Sequence, residues 1–302
     1  MRFLPSDRRF RLPRRRPHHT PQRALRTFLQ RHSLIAGLLL MFALTWPIEL
    51  ANSGLLPFQV PFALSLFLGW GFIFAALIMT GLTQSAQAVV TLLRRYTIWR
   101  VGPRWYLAAF LLYPAIFLSA VALNALLVGE RLDFSATMAR RFFGMSGTLP
   151  LFVLPFFLFD AVANGEEMGW RGYVLPRLQA RHSALGASLI LGLIWGVWHL
   201  PKFLGAASGP FALFMVKTIG DAVLYTWLYN NTRGSLLLVT IFHAAGNTAG
   251  FFLPVANTVS SNNIGALVIA VVLITLIALV VTVHAGPERL SRADIKQILH
   301  RV

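Results

Sequence analysis

The chain has 302 residues, of which 56% are hydrophobic and only 12% are charged, so it carries more apolar surface than one water-soluble domain buries. Its formal net charge of +17 would suit a nucleic-acid-binding protein, but the charges lie at the two ends and between apolar runs, which indicates membrane lipids instead. Because the sequence contains no cysteine, disulfides, thiol catalysis and Cys-based zinc sites are excluded.

The first 32 residues are strongly basic and contain no long apolar segment. Ten arginines fall between Arg2 and Arg31. This composition predicts a disordered tail for residues 1–32, and the positive-inside rule places that tail in the cytoplasm.

Residues 33–284 are predicted to form an all-α, polytopic transmembrane bundle of about eight helices. A helix needs about twenty apolar residues to cross the hydrocarbon core of a bilayer. Suitable segments lie near residues 33–51, 60–82, 105–128, 150–180, 184–201, 211–229, 235–254 and 264–284. Most basic loops then fall on the side of the N-terminus, which predicts a multi-pass protein of the plasma (inner) membrane with both termini cytoplasmic. Residues 285–302 are predicted to be a cytoplasmic tail with a short amphipathic helix.

A group of polar side chains lies inside the predicted spans. Such groups are costly in a bilayer, so they usually pair with one another or carry a function. They are Glu166, Glu167 and Arg171 in the fourth span, His199 at the end of the fifth, and His243 and Asn247 in the seventh.

Helical spacing indicates which of these groups meet. Glu167 and Arg171 are four residues apart with the acid first, the favourable order for an ion pair, so they are expected to support the site rather than react. Glu166 is then the free carboxylate. The turn at residues 181–183 places Glu166 and His199 at equal depth in an antiparallel hairpin, because both lie about 25 Å from it at 1.5 Å per residue.

These residue types are suited to hydrolysis by an activated water molecule. A carboxylate in an apolar site can accept a proton near neutral pH while an imidazole orients the same water, and Glu166 and His199 would fill these roles. His243 and Asn247 lie one turn apart on one helix face, so they could donate hydrogen bonds to the oxyanion that forms.

The same residues carry a resemblance to a known family. Glu166 and Glu167 followed by Arg171, an aromatic residue before His199, and His243 with Asn247 resemble the three motifs of the CPBP family of intramembrane peptidases. That family includes type II CAAX prenyl endopeptidases and bacteriocin-processing or immunity proteins. The resemblance covers about residues 145–255 and implies an endopeptidase with Glu166 and His199 activating water and His243 and Asn247 stabilising the oxyanion. It departs from the family at Trp195, where phenylalanine is usual.

Metal dependence is left open by the sequence. Glu166, His199 and His243 could hold zinc with one position free for water, and the family is often described as metalloproteases. The sequence has no HExxH motif, however, and the three residues come from separate helices. A glutamate mechanism without a cofactor is therefore preferred, with zinc as the alternative.

Three functions are compatible with the sequence. The favoured one is an endopeptidase that cuts a membrane-associated peptide or protein substrate, prenylated or otherwise hydrophobic. A non-catalytic immunity or partner-binding protein of the same fold is the alternative, although such a protein would not need all four reactive groups. A proton-coupled transporter ranks last, because the polar groups crowd into one half of the chain instead of repeating in both.

Overall fold

The structure, a computed structural model, describes residues 21–65, 69–129, 137–143, 149–205, 210–255 and 264–292. In these ranges the regular secondary structure is helical, which confirms the all-α prediction. The helices are α1 (Pro21–Arg31), α2 (Ser33–Asn52), α3 (Phe62–Ser65), α4 (Trp70–Thr83), α5 (Ala86–Arg94), α6 (Pro103–Val128), α7 (Met138–Phe143), α8 (Leu149–Ala163), α9 (Leu175–Gln179), α10 (Ala184–Trp198), α11 (Leu200–Leu204), α12 (Phe211–Asn231), α13 (Leu236–Phe252) and α14 (Gly265–Ala285). A 3₁₀ turn at Arg95–Thr97 and a π-helical segment at Met168–Val174 complete them.

The eight predicted spans each contain an apolar helix, and the polytopic bundle is confirmed. Within the described ranges, four helices are long and apolar enough to cross a membrane: α2, α6, α12 and α14. Shorter apolar helices occupy the other four predicted spans, namely α4, residues 151–163 of α8, α10 and α13. The chain is therefore a multi-pass membrane protein.

The fourth predicted span, residues 150–180, is wrong as one continuous helix. Helix α8 ends at Ala163, and the backbone leaves the helix at Asn164 and Gly165 before helical structure resumes at Glu166. The side chain of Asn164 then accepts a hydrogen bond from the backbone N–H of Glu166 at 3.0 Å. This bond satisfies one of the N–H groups left free at a helix start, so Asn164 helps to begin the helix that carries the acidic pair.

Close backbone packing explains the position of this break. A Cβ atom added at Gly165 would lie 2.4 Å from the backbone oxygen of Gly69 and 2.6 Å from a side-chain carbon of Ile73. The chain before α4 and the chain before Glu166 therefore touch through their backbones, which only residues without a side chain permit.

We expect Gly165→Ala to lower the free energy of unfolding by about 1–3 kcal/mol, because the added methyl group overlaps backbone that has no room to yield. Thermal denaturation of the purified protein measures this effect. The control is Gly81→Ala within α4, where an added Cβ meets only a side-chain carbon of Val89 at 3.7 Å. Equal stability of the Gly165→Ala variant and the wild type would contradict the close contact.

The prediction of a disordered tail at residues 1–32 is wrong for its last third. Residues 21–31 form α1, which begins at Pro21 and carries apolar residues at helical spacing. Arg26 donates to the carbonyl of Gln84 at 3.1 Å, and Gln30 donates to that of Thr83 at 2.9 Å. These bonds hold α1 against the end of α4, so tertiary contacts order a segment whose charge suggested disorder. Residues 1–20 of the predicted tail lie outside the described residues.

Only the first part of the predicted C-terminal tail, up to residue 292, lies within the described residues. Helix α14 ends at Ala285, and residues 286–292 form turns and irregular chain instead of the start of an amphipathic helix. Carbonyl groups of Pro287 and Glu288 accept hydrogen bonds from the first N–H groups of α10 at 3.0 and 2.9 Å. Capping of α10 therefore fixes this segment, and residues 293–302 lie outside the described part of the chain.

Helix α13, which carries His243 and Asn247, packs against several elements of the bundle. It contacts α6 and α8 extensively, and it also touches the π-helical segment, while α10 packs along α12. Gly192 permits the last contact, because a Cβ there would lie 2.6 Å from the Cα of Ile219. As a result, Glu166, His199 and His243 belong to neighbouring elements of one bundle.

Candidate active site

Glu166 is held by two tryptophan side chains. Its Oε2 atom accepts hydrogen bonds from the indole N–H groups of Trp170 at 3.1 Å and Trp195 at 2.9 Å. Trp170 is one turn further along the same segment, whereas Trp195 comes from α10. These two donors stabilise the negative charge at Oε2. Among the described residues, none donates a hydrogen bond to Oε1.

Glu167 is at the centre of a buried charged cluster. Its Oε1 atom accepts from Arg171 Nη1 at 2.9 Å and lies 2.7 Å from His243 Nδ1. The side chains of Glu167 and Arg171 are fully buried, and the guanidinium carbon of Arg171 lies 4.0 Å from the ring centre of Tyr225. The predicted pairing of Glu167 with Arg171 is confirmed, and the structure adds His243 as a second partner of the same carboxylate oxygen.

His199 follows the last residue of α10, and its ring is packed among aromatic side chains. The Nδ1 atom lies 2.9 Å from the backbone oxygen of Trp195. Because a carbonyl oxygen can only accept, this contact places a proton on Nδ1 and leaves Nε2 as an acceptor in the neutral imidazole. The ring centres of Trp198 and Phe214 lie 4.6 and 4.9 Å away, so the imidazole has a fixed orientation.

The structure brings Glu166 and His199 to the same tryptophan but does not join them directly. Glu166 contacts the indole of Trp195, and His199 contacts its backbone oxygen. Each lies within electrostatic range of the other. Among the described residues no hydrogen bond links the side chains of Glu166 and His199. The predicted mechanism therefore requires a water molecule between them.

Asn247 makes a contact that the sequence did not predict. Its Nδ2 atom donates to both carboxylate oxygens of Asp160 on α8, at 3.2 and 3.1 Å. His243 is one turn earlier on α13, and its ring centre lies 5.8 Å from those of Trp195 and Tyr225. The two predicted oxyanion donors therefore each touch a carboxylate, Glu167 for His243 and Asp160 for Asn247.

A cavity of about 500 Å³ opens beside these residues. Its polar lining includes His199, His243, Asn247 and Asp160, and its apolar wall includes several aromatic rings, among them Phe117, Phe156, Phe214 and Phe251. Glu166 is not part of this lining and lies behind Trp195, which is. The cavity has the size and apolar character of a ligand-binding site with a few convergent polar groups.

The residues considered for zinc do not form a metal site as they are placed here. Within the described residues, no group of three or more His, Asp or Glu side chains is arranged to hold a metal ion. The contacts of Glu167 and Trp195 with the Nδ1 atoms of His243 and His199 leave both Nε2 atoms free, as in histidines that bind zinc, so zinc stays the alternative to a mechanism without a cofactor.

Sequence reasoning missed four of the contacts at this site, among them that of Glu167 with His243. Asp160 was left without a partner, and the hydrogen-bonding indoles of Trp170 and Trp195 were not assigned to Glu166. A signal for Asp160 existed, since an isolated carboxylate in a predicted span needs a partner. Two other acids have partners as well: Glu49 lies 3.5 Å from Lys202, and Asp221 pairs with Lys217 at 2.7 Å.

Comparison with known proteins supports the family resemblance. Residues 146–249 match the family model described as type II CAAX prenyl endopeptidase Rce1-like. A CAAX prenyl protease 2 from Methanococcus maripaludis is 31% identical over 144 residues, which cover 44% of this chain and 51% of that protein. The chain thus spans about half the length of this curated relative. All four residues predicted to react lie inside the matched region, and the predicted resemblance is confirmed there.

Proposed function

We propose that the chain is an intramembrane endopeptidase, because residues 146–249 match the family model described as type II CAAX prenyl endopeptidase Rce1-like. The observation that carries this proposal is that His199, His243 and Asn247 line one cavity inside the helical bundle, while Glu166 is bonded to Trp195 in the wall of that cavity. Four polar groups from three elements converge there, although burying each of them in a membrane protein is costly.

Glu166 and His199 would activate the attacking water molecule. With Oε2 fixed by two indoles, the Oε1 atom of Glu166 is the acceptor for a water proton. His199 has its Nδ1 proton committed to a carbonyl, so Nε2 can accept the second hydrogen of the same water and orient it. The proton taken by Glu166 can then pass to the nitrogen of the leaving amine.

His243 and Asn247 would stabilise the oxyanion of the tetrahedral intermediate. Contact of Nδ1 with Glu167 lets His243 carry a proton on each nitrogen, and Nε2–H then donates to the oxyanion. The amide nitrogen of Asn247 has two hydrogens, of which Asp160 needs one. The two histidines therefore have different roles, because Nδ1 of His199 contacts a backbone carbonyl oxygen, whereas Nδ1 of His243 contacts a carboxylate.

The proposed substrate is a membrane-associated peptide or protein with a hydrophobic segment next to the scissile bond. Aromatic side chains on the cavity wall suit an apolar chain, and the relative from Methanococcus maripaludis is a CAAX prenyl protease.

We place both termini in the cytoplasm at the plasma membrane, because α1 and the C-terminal segment lie at the end of the bundle where Arg233 bonds to the carbonyl of Arg100.

Cleavage of an internally quenched peptide panel by the purified protein in proteoliposomes tests the proposal. The panel pairs each peptide with its prenylated form. Wild-type protein is expected to cleave at least one peptide, and His199→Ala is expected to lose at least roughly 100-fold in kcat on that peptide. Equal turnover by both proteins would reject the assignment of His199, and no turnover by the wild type would reject the enzyme.

Metal dependence is tested in the same assay. We expect turnover to stay within about twofold of its starting value after treatment with EDTA, since acid–base groups alone can perform the proposed steps. Loss of activity with EDTA and recovery with zinc, but not with magnesium, would contradict a mechanism without a cofactor.

A further inference from the structure

Asp160 is an acidic residue at the cavity, and neither the family motifs nor the predicted mechanism gives it a role. It lies on α8, six residues before Glu166, and lines the cavity together with His243 and Asn247. Both of its carboxylate oxygens accept from the amide nitrogen of Asn247. Asp160 is also within electrostatic range of His243 and Glu166, so it is the third acid of the site.

The contact is built into the packing of α8 against α13. Phe156 lies one turn before Asp160, and Phe251 lies one turn after Asn247. Their rings stack with centres 4.4 Å apart and planes 13° apart. In an antiparallel helix pair, this stacking sets the register that places Asp160 opposite Asn247.

Asn247 needs such a partner in order to act as a fixed donor. Its side chain is exposed to the cavity, and Asp160 is its one hydrogen-bond partner among the described residues. An amide without a partner can rotate and present either its oxygen or its nitrogen, and an oxygen would repel an oxyanion. An ionised carboxylate only accepts hydrogen bonds, so it selects the orientation in which the nitrogen of Asn247 faces the site.

We propose that Asp160 is a positioning residue that orients the amide of Asn247 as an oxyanion donor. One hydrogen of Nδ2 bonds to Asp160, and the other remains available for the substrate oxygen. The bond to a charged acceptor is stronger than a neutral one, so the donor is in place before the reaction begins. This inference rests on the proposed peptidase function and adds a residue to it.

The test is a double-mutant cycle on peptide cleavage with Asp160→Ala, Asn247→Ala and the double variant. Asp160→Ala is expected to lower kcat about 10- to 100-fold with KM within about threefold, because removing one oxyanion donor costs roughly 100- to 1000-fold. In the Asn247→Ala background it is expected to have no further effect. Asp160→Asn, whose amide oxygen can still accept from Asn247, is expected to recover part of the loss.

A matched control separates positioning from a general loosening of the helix pair. Phe252→Leu alters the same α8–α13 contact, since Phe252 packs against Phe156 with ring centres 5.6 Å apart, but Phe252 does not line the cavity that Asp160 and Asn247 face. Its kcat is expected to stay within about threefold of the wild-type value, as for other changes away from reacting groups.

The outcomes distinguish this inference from the proposed function. Losses from Asp160→Ala and Asn247→Ala that multiply in the double variant, or an unchanged kcat for Asp160→Ala, would overturn the positioning role in an active enzyme. Wild-type protein without peptidase activity would overturn the proposed function and the positioning role together.

Discussion

Replacing Glu166 with glutamine is expected to lower kcat for peptide cleavage by roughly 1000-fold or more while the protein stays folded. Glutamine fills the same space, and its carbonyl oxygen can still accept from the indoles of Trp170 and Trp195. It cannot take a proton from water, so the loss reports the general base and not the packing. Turnover of an internally quenched peptide, measured with excess enzyme, covers the required range.

The same substitution at an exposed glutamate, Glu288, serves as the control. Glu288 has an exposed side chain at the end of the bundle and contributes only its backbone carbonyl to α10. Glu288→Gln is expected to retain kcat within about twofold, as for surface substitutions in general. A Glu166→Gln enzyme with more than a tenth of wild-type kcat would show that another group activates the water.

Replacing Arg171 with methionine is expected to lower the free energy of unfolding by about 3–5 kcal/mol. The substitution removes the guanidinium partner of the fully buried carboxylate of Glu167 and leaves only His243 beside that charge, and breaking a buried ion pair is among the most destabilising changes in a protein. It also removes the guanidinium that lies over the rings of Trp195 and Tyr225. Denaturation of the detergent-solubilised protein, followed by circular dichroism, measures the change.

Two further variants show whether the unpaired charge is the cause. Arg181 is exposed in the turn before α10, so Arg181→Met is expected to leave stability unchanged within about 0.5 kcal/mol. The double variant Glu167→Gln with Arg171→Met removes both charges and is expected to recover at least half of the lost stability. A double variant that is no more stable than Arg171→Met would show that packing, not charge, explains the loss.

The sequence predicted the eight apolar segments because length and hydropathy are local properties. It did not predict the break at Asn164 and Gly165, since that break depends on the backbone of Gly69, which is distant in the chain. The order of α1 was missed for a similar reason. Its charge suggested disorder, whereas hydrogen bonds to the end of α4 hold it in place.

The sequence singled out the polar residues of the candidate site but did not predict all of their contacts. Spacing of four residues was enough to pair Glu167 with Arg171, because both lie on one helix. The contact between Glu167 and His243, and that between Asp160 and Asn247, cross from one helix to another, so they depend on helix rotation and register. The π-helical segment also changes the rotation of Trp170 and Arg171, since the N–H of Leu175 bonds to the carbonyl five residues earlier.

A double-mutant cycle between Glu166 and His199 tests most directly whether one water molecule is held by both side chains. The kcat values of Glu166→Gln, His199→Ala and the double variant are compared on one peptide. If both groups act on the same water, the double variant turns over as fast as the slower single variant, within about threefold. Losses that multiply in the double variant would mean that the carboxylate and the imidazole act independently.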